Sequence, residues 1–286
     1  MHLGHRAVIA LAAAEAGRRG TASGVVTFEP HPRQFFAPDA PPFRLMNDEA
    51  RANRMAKLGV GALYVLPFDA RLAGMEPDRF VAEVLRDGLG LAHVVVGRDF
   101  RFGKGRAGMA DDLARLGAEA GIGVTLADLV DEGGEEVSST AIRQALSEGR
   151  PRDAARMLGH WHRIEGAVRD GDKRGRTIGY PTANMSIDNL HPPRFGIYAV
   201  KADVLDGPHR GSYLGAASVG VRPMFDGVVP NLETFLFDFS GDLYGAHLSV
   251  ALVDYLRPEA KFDSIEALVA QMDADCAKAR AILAAL

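Results

Sequence analysis

Apolar residues in the first half of the chain follow two patterns. Short, mainly apolar runs predict buried strands at 25–28, 61–66, 92–97 and 124–126. Segments with apolar residues at helical spacing predict helices at 5–19, 47–58, 77–87 and 110–120. Strands that alternate with helices of about 10–15 residues are typical of a parallel sheet covered on both faces. Ligands of such sheets bind at the carboxyl ends of the strands.

After Gly159 the pattern changes to short stretches in which apolar and polar residues alternate. They lie at 163–168, 196–204, 213–219, 232–239 and 246–254. Turn residues separate these stretches, and this arrangement predicts a compact antiparallel β-barrel. We therefore expect an α/β domain over residues 1–158 and a barrel domain over residues 159–286.

One helix is predicted to close the chain. We expect Asp263 to cap it and Glu266 to complete a capping box. The apolar residues of this segment keep a helical period, namely Ile265, Leu268, Val269, Met272, Cys276 and Ile282.

Composition narrows the classes of function. The sequence is 47% apolar and 24% charged, with a formal net charge of −4. This balance disfavours a nucleic-acid binder, which usually has a basic face. The single cysteine, Cys276, excludes an internal disulfide and fits a reducing cytoplasm. No apolar run approaches the roughly 20 residues of a membrane helix. We expect a cytoplasmic protein with small-molecule partners and leave its oligomeric state open.

Two histidines, His2 and His5, stand before the first predicted helix, with Gly4 between them. Their imidazole N–H groups can donate to phosphate oxygens, and the helix dipole adds to the attraction. The glycine lets a nucleotide approach the backbone closely. So short a motif fits a frayed chain terminus equally well.

The segment SSTAIR, residues 138–143, offers a second group of phosphate ligands. Its hydroxyls can cap a helix that runs to about Gly149, and Arg143, one turn in, can grip phosphates with two donors. By itself this is an ordinary helix cap with a surface arginine. Together with His2 and His5 it resembles the paired signature of nucleotidylyltransferases with a synthetase-like Rossmann fold, in which both motifs bracket the phosphates of ATP.

Two aromatic segments each follow a predicted strand and so lie at its ligand edge. One is FEPHP at residues 28–32, and the other is GRDFRFG at residues 97–103. Phe28, Phe100 and Phe102 can pack on flat rings, although core packing is the commoner role of a single phenylalanine.

The four motifs, in this order and spacing, resemble the FMN adenylyltransferase domain of bacterial bifunctional riboflavin kinase/FAD synthetases. The resemblance implies a Rossmann-like nucleotidylyltransferase domain with catalytic roles for His2, His5 and Arg143. It also implies ATP or FMN contacts at Ser139, Thr140, Phe28, Pro30, His31, Gly97, Asp99, Phe100 and Phe102.

The resemblance departs at the first motif. In the family this motif reads approximately Gly-x-Phe-Asp-Gly-x-His-x-Gly-His after a strand, whereas this sequence begins one residue before its first histidine. We expect either a misassigned start codon or a truncated form. A missing central strand would leave neighbouring backbone groups and apolar faces uncovered.

The segment GDKRGRTIGYPTAN, residues 171–184, combines glycines with basic residues. Such a segment forms a flexible, positively charged flap that suits phosphates. Thr182 and Asn184 stand two apart, so their neutral oxygens point to one face of a strand and suit Mg²⁺ carrying ATP phosphates. A glycine-rich hairpin with a solvated basic tip would show the same glycines.

Asn231-Leu232-Glu233-Thr234 lies on a later predicted strand. The Glu233 carboxylate could take the proton from a primary hydroxyl that attacks ATP. An isolated glutamate on a barrel strand is otherwise a solvated edge residue.

No metal-ligand spacing appears among the five histidines of the barrel half, which are His160, His162, His191, His209 and His247.

The Pro-Thr-Ala-Asn run and the later segment DFSGDLYG resemble the signature of riboflavin kinases. The resemblance implies that Glu233 is the catalytic base, that Thr182 and Asn184 bind Mg²⁺, and that the flap residues Gly171, Gly175 and Arg176 contact ATP. Two departures are Phe235, where the family often has histidine, and the segment 218–223, which replaces a more usual Asn-x-Gly-x-Arg-Pro.

Because the resemblance spans both domains, it implies a bifunctional enzyme. Riboflavin would be phosphorylated to FMN and FMN adenylylated to FAD, each step with ATP and Mg²⁺. The alternative is a riboflavin kinase whose N-terminal domain is inactive and only binds flavin or nucleotide. A third hypothesis, suggested by the histidine motif, is a nucleotide- or RNA-binding fragment of a synthetase, but the barrel half argues against it.

Overall fold

The computed structural model describes residues 1–128, 131–132, 135–170, 175, 178–224 and 227–286. The chain forms two compact units. The first comprises Met1–Pro41 and Arg51–Val137, and the second comprises Pro42–Ala50 and Ser138–Leu286. The boundary between the two domains, predicted from the sequence at residues 158/159, stays a prediction.

The first unit is built from short strands and helices. Its helices are α1 (Leu3–Arg19), α2 (Pro32–Phe36), α3 (Asp48–Lys57, which begins in the second unit), α4 (Ala70–Ala73), α5 (Pro77–Arg79) and α6 (Ala110–Glu119). Its strands are β1 (Gly24–Glu29), β2 (Ala62–Pro67), β3 (His93–Gly97), β4 (Arg101–Phe102), β5 (Gly108–Met109), β6 (Gly123–Ala127), β7 (Asp131–Glu132) and β8 (Glu135–Glu136). The Rossmann-like alternation predicted for this half is confirmed.

The sequence predicts one parallel sheet in the first unit, but the described strands do not form a single continuous sheet. β1 pairs with β2 in parallel from Gly24 opposite Ala62 to Glu29 opposite Pro67. β3 pairs with β6 in the same sense. Among the described residues these are two separate two-stranded ladders, because β1 and β3 exchange no ladder hydrogen bonds. Most side chains of these strands are half-buried rather than buried.

The helix predicted at 77–87 is present, but most of it is a π-helix, Phe80–Gly88. At its end the Leu89 N–H donates to the Val84 carbonyl, five residues back, at 2.9 Å. Its apolar side chains join the core of the first unit. The buried members of that core are Met75, Phe80, Val81, Leu85, Phe102, Leu113 and Ile122.

The second unit is a nearly closed antiparallel barrel with helices, which confirms the predicted architecture. Its strands are β9 (His162–Ala167), β10 (Ala183–Ser186), β11 (Gly196–Val204), β12 (Gly211–Met224), β13 (Gly227–Leu236) and β14 (His247–Arg257). They lie in the order β10-β13-β12-β11-β14-β9. The Arg169 N–H donates to the Asn184 carbonyl at 2.8 Å, which joins the two ends of the sheet. The helices are α7 (Ser139–Ser147), α8 (Pro151–Leu158) and α9 (Ile265–Ala284).

Side chains on β13 alternate between the two faces of the barrel wall. Leu232 and Leu236 are buried in the barrel core. Since residues two apart on a strand share a face, Asn231, Glu233 and Phe235 all lie on the opposite, outer face.

The N-terminus of α9 begins one residue later than the sequence predicted. The Ser264 hydroxyl accepts a hydrogen bond from the Ala267 N–H at 3.1 Å, so Ser264 is the cap. Asp263 is therefore wrong as the cap. Glu266 stands one position before the residue that a capping box requires, so the predicted box is wrong as well.

The apolar face predicted for α9 is confirmed for Cys276 and Ile282, which pack against a second core cluster of the barrel. It is wrong for Ile265, which is 62% exposed because it stands in the first turn, ahead of the part that packs. A partly buried ion pair fastens the helix, as Arg257 donates to both carboxylate oxygens of Asp275 at 2.7–3.0 Å. In the part of the chain that the structure describes, no helix combines the length and apolar character needed to cross a membrane.

Candidate functional sites

His2 and His5 lie together at the start of α1. Their ring centroids are 3.8 Å apart, and a side chain on Gly4 would crowd the His2 ring at 3.1 Å. Burial lowers the pKa of His2 to about 3 and that of His5 to about 4. Both imidazoles are therefore neutral at pH 7, and each carries one N–H donor. His2 Nδ1 is buried without a hydrogen-bond partner among the described residues.

The segment after β3 folds tightly around Gly97. The Phe100 N–H donates to the Gly97 carbonyl at 3.0 Å, and a side chain on Gly97 would lie 2.7 Å from an Asp99 carboxylate oxygen. The Phe100 and Phe102 rings stack with centroids 5.7 Å apart. Phe102 is only 6% exposed and belongs to the core, whereas Phe100 is half-buried at its edge.

A cluster of four phenylalanines lies where β1 and β2 end. This phenylalanine cluster consists of Phe28, Phe35, Phe36 and Phe68, with edge-to-face contacts at centroid distances of 5.2–5.9 Å. Phe36 is 66% exposed. Between the strand and α2, a cis peptide bond precedes Pro30, and His31 Nδ1 caps α2 by accepting from the Arg33 N–H at 3.1 Å.

Of this cluster only Phe28 was predicted as a site residue. Phe35 and Phe36 directly follow the predicted motif, so its continuation in the sequence could have revealed them. Phe68 directly follows β2, and only the β1–β2 pairing brings it close.

The residues of the second phosphate motif lie in the second unit, at the start of α7. The Ser138 hydroxyl caps this helix by accepting from the Ala141 N–H at 3.2 Å, as predicted. Arg143 donates to the Thr140 hydroxyl at 3.0 Å. His191 Nε2 lies 3.0 Å from the Arg143 carbonyl oxygen, so this histidine, to which the sequence assigned no role, holds α7. The joint action of Arg143 with the two N-terminal histidines stays a prediction.

Four polar side chains meet on the outer face of the barrel, and we call them the polar cluster. The pairing of β10 with β13 sets Asn184 opposite Glu233. The Thr182 hydroxyl donates to Glu233 Oε2 at 3.4 Å. The Asn231 amide lies 3.2 Å from Asn184 Oδ1 and 3.4 Å from Glu233 Oε1. The structure thus brings Glu233 together with Thr182 and Asn184, which the sequence predicted to share one face of a strand, and adds Asn231.

The donor set of the polar cluster fits Mg²⁺. It offers a hydroxyl, a carboxamide oxygen and one carboxylate, and Mg²⁺ in such sites takes one or two protein oxygens together with substrate phosphates. Among the described residues no group of three or more His, Cys, Asp or Glu side chains could hold a metal ion.

The flap that precedes Thr182 is described only in part. Gly171 and Arg176, both predicted to contact ATP, lie outside the described residues. A side chain on Gly175 would lie 2.2 Å from the Tyr180 carbonyl oxygen. The Tyr180 N–H also donates to the Gly175 carbonyl at 2.8 Å. This close approach explains a glycine at that position.

An open aromatic cavity of about 430 Å³ adjoins the polar cluster. Phe235 in its wall stands two residues after Glu233 on the same face of β13. Tyr180 packs on Phe235 with ring centroids 4.9 Å apart, and its hydroxyl donates to the Asp273 carboxylate. The cavity is lined by Gly179, Tyr180, Phe235, Phe237, Asp273, Cys276, Ala277 and Arg280.

Two side chains of the aromatic cavity, Tyr180 and Cys276, stay in their neutral forms at pH 7. Burial, with the Asp273 carboxylate, raises the pKa of the Tyr180 hydroxyl above its ordinary value. Burial raises the pKa of the Cys276 thiol to about 11. Arg280 lies over the Phe237 ring at 4.3 Å and donates to Asp238 at 2.8–2.9 Å. No local pattern in the sequence predicts this cavity, because its walls come from β13, α9 and the flap.

Two family models match this chain. The FAD synthetase model matches residues 1–141, and the riboflavin kinase model matches residues 158–283.

Similar proteins match over nearly the full chain. The protein from Listeria monocytogenes, named bifunctional riboflavin kinase/FMN adenylyltransferase, is 37% identical to this chain. The match covers 100% of this chain and 90% of that protein. Proteins of the same name follow from two other bacteria. The one from Pseudomonas fluorescens is 41% identical (99% and 90% covered), and the one from Escherichia coli is 38% identical (98% and 88% covered). A crystal structure from Streptococcus pneumoniae, described as a macrolide-efflux protein, is 32% identical with a TM-score of 0.83, covering 96% of this chain and 88% of that one.

Proposed function

Since the chain belongs to the family of bifunctional riboflavin kinase/FMN adenylyltransferases, we propose that Glu233 is the catalytic base of its kinase step. The function of the chain is the synthesis of FAD in two steps. Riboflavin is phosphorylated to FMN, and FMN is then adenylylated to FAD. The Streptococcus pneumoniae structure supports the fold of this chain, and the two family models support its activities.

The position of Glu233 carries the proposal. Its carboxylate accepts a hydrogen bond from the Thr182 hydroxyl. On the same face of β13, two residues further on, Phe235 lines the aromatic cavity. A flat, three-ring isoalloxazine suits a cavity walled by aromatic side chains. With the ring seated there, the ribityl chain would reach Glu233.

The kinase chemistry follows from this placement. Glu233 would take the proton of the terminal ribityl hydroxyl as its oxygen attacks the γ-phosphorus of ATP. The bond between the γ-phosphorus and the bridging oxygen breaks, and ADP leaves. Bound Mg²⁺ would neutralise charge on the phosphates, and Thr182 and Asn184 are the residues that would hold it. The remaining work of the protein is to position the two substrates.

For the adenylyl transfer we assign phosphate contacts to His2 and His5. As neutral donors at the N-terminus of a 17-residue helix, they suit an anionic ligand, and the buried, unpaired His2 Nδ1 supports a ligand at this place. In this step an FMN phosphate oxygen attacks the α-phosphorus of ATP and pyrophosphate leaves. Arg143, Ser139 and Thr140 would add phosphate contacts, as the resemblance implies.

The flavin of the second step needs its own aromatic surface. We assign it to the phenylalanine cluster, because Phe36 is exposed at the carboxyl ends of β1 and β2, where ligands of parallel sheets bind. The alternative of a kinase with an inactive first domain is not favoured, since the FAD synthetase model matches residues 1–141. A cytoplasmic location remains part of the proposal.

Isotope transfer tests the proposed function directly. We expect γ-³²P-ATP with riboflavin to give labelled FMN, and α-³²P-ATP with FMN to give labelled FAD and unlabelled pyrophosphate. Chromatography of the products separates the two steps. With γ-³²P-ATP, absence of label from both FMN and FAD would contradict the kinase. With α-³²P-ATP, absence of label from FAD would leave the kinase-only alternative.

Tyr180→Phe tests the aromatic cavity. The change removes the hydroxyl that donates to Asp273 and keeps the ring on Phe235. We expect the KM for riboflavin to rise about fivefold, as a lost hydrogen bond of about 1 kcal/mol predicts, because the two walls of the cavity are no longer joined. Steady-state kinetics of the kinase step measure the effect.

The matched control is Tyr213→Phe. This tyrosine also lies in the barrel, and its hydroxyl donates to the His209 carbonyl at 2.9 Å, away from the cavity. An equal rise in the KM for riboflavin in both variants would exclude a specific role of the cavity in flavin binding.

A further inference from the structure

The Asn231 carboxamide occupies the centre of the polar cluster. Its Nδ2 donates to Asn184 Oδ1 at 3.2 Å and to Glu233 Oε1 at 3.4 Å. Asn231 is half-buried. Neither family resemblance nor the proposed function assigns it a role.

The strand geometry explains why Asn231 reaches both groups. Asn231 and Glu233 share the outer face of β13, since Leu232 between them is fully buried in the barrel core. On β10, Asn184 lies opposite Glu233, and Ser186 lies opposite Asn231. Asn231 is thus the diagonal neighbour of Asn184, at a distance that side chains can span.

This contact fixes the direction of the Asn184 carboxamide. An asparagine side chain can present either its oxygen or its NH₂ group to a ligand, and only the oxygen can bind a cation. The Asn184 NH₂ group donates to the Thr182 carbonyl at 3.2 Å, while its oxygen accepts from Asn231. Both bonds hold the same orientation, with Nδ2 towards Thr182 and Oδ1 towards Asn231.

The same amide holds the Glu233 carboxylate. Oε2 accepts from the Thr182 hydroxyl and Oε1 accepts from Asn231. Because each carboxylate oxygen has a donor, rotation of the carboxylate is restricted. A base restricted in this way meets the substrate hydroxyl in one orientation, and positioning of this kind contributes strongly to rate.

We propose that Asn231 is a positioning residue of the riboflavin kinase step, which orients Glu233 towards the ribityl hydroxyl and Asn184 Oδ1 towards the cation. The proposal rests on the roles proposed above for Glu233 and Asn184. A purely structural role is already supplied otherwise, because the backbone ladder pairs β10 with β13 from Ala183 to Ser186.

The test compares Asn231→Ala with Asn231→Asp in the full chain. The aspartate keeps the volume of asparagine but cannot donate when ionised, so it separates loss of the donor from loss of packing. We expect kcat of riboflavin phosphorylation to fall about 10- to 100-fold in both, as for partners that orient metal ligands, with the KM for riboflavin within twofold. FAD formation from supplied FMN should be unchanged.

A second readout follows the cation without catalysis. Electron paramagnetic resonance of Mn²⁺, titrated in the presence of ADP, should show about tenfold weaker binding by Asn231→Ala than by the wild-type chain. Ser186→Ala is the matched control, because Ser186 faces Asn231 across the strands and its hydroxyl accepts from the Asp188 N–H. It should leave kcat and Mn²⁺ binding unchanged.

The outcomes separate this inference from the proposed function. Wild-type kcat in both variants would overturn it, and so would a loss confined to the KM for riboflavin. Unchanged Mn²⁺ binding would overturn the part that concerns Asn184. If Asn231→Ala fails to fold, kcat and Mn²⁺ binding of Asn231→Asp and Asn231→Ser test the proposal instead. Full activity of Glu233→Gln would instead refute the role of Glu233 itself.

Discussion

Glu233→Gln is expected to lower FMN formation from riboflavin by about 10²–10⁴-fold, the range for loss of a general base. Glutamine has almost the same shape but cannot accept the hydroxyl proton. FAD formation from supplied FMN should continue at the wild-type rate, because the residues assigned to that step lie elsewhere in the chain. Chromatographic product assays of each step with the same protein preparation measure both rates.

Glu165→Gln provides the matched control for this experiment. Glu165 also lies on a barrel strand, β9, and accepts a hydrogen bond from the Ser249 hydroxyl at 2.9 Å. Its substitution should leave both rates within a fewfold of wild type. Undiminished kinase turnover in Glu233→Gln would exclude Glu233 as the base.

His5→Ala is expected to lower FMN adenylylation by about 10²–10³-fold, as for removal of one donor that stabilises a developing charge. The kinase step should be unaffected. Because burial lowers the pKa of His5 to about 4, the imidazole is neutral throughout pH 6–8. The adenylylation rate should therefore show no step from His5 in that range, and a pH–rate profile of FAD formation checks this.

The control for this substitution is His93→Gln. His93 lies near the other end of α1, where its ring is 2.9 Å from the Thr125 hydroxyl and 3.5 Å from Glu15. FAD formation by this variant should stay within a fewfold of wild type. Equal losses in the two variants would assign the effect to the stability of the first unit rather than to phosphate binding.

The polar cluster shows how far sequence reasoning reaches. Thr182 and Asn184 could be placed on one face because residues two apart on a strand share it. Their meeting with Glu233 also depends on the β10–β13 pairing, and no local pattern sets that register. Asn231 contacts Asn184 across 47 positions of sequence, so its part in the cluster was not predictable.

The errors have equally local causes. Asp263 and Ser264 are both good helix caps, and only the geometry of the chain decides that Ser264 receives the Ala267 N–H. The spacing of Phe80, Val81 and Leu85 predicts a buried helical face but does not distinguish an α-helix from the π-helix that forms. The aromatic cavity was missed because Asp273 and Phe235 are distant in sequence and meet only when α9 packs on the barrel.

The position of Cys276 makes the protein a single-label reporter of the cavity proposed to bind flavin. It is the only cysteine in the sequence, and it lies in the wall of the aromatic cavity. Because burial raises the pKa of its thiol to about 11, the reactive thiolate is scarce at neutral pH and becomes more abundant in alkaline buffer. A small fluorophore coupled there would mark one defined place in every molecule, without any engineered residue, beside the surface proposed to hold the isoalloxazine ring.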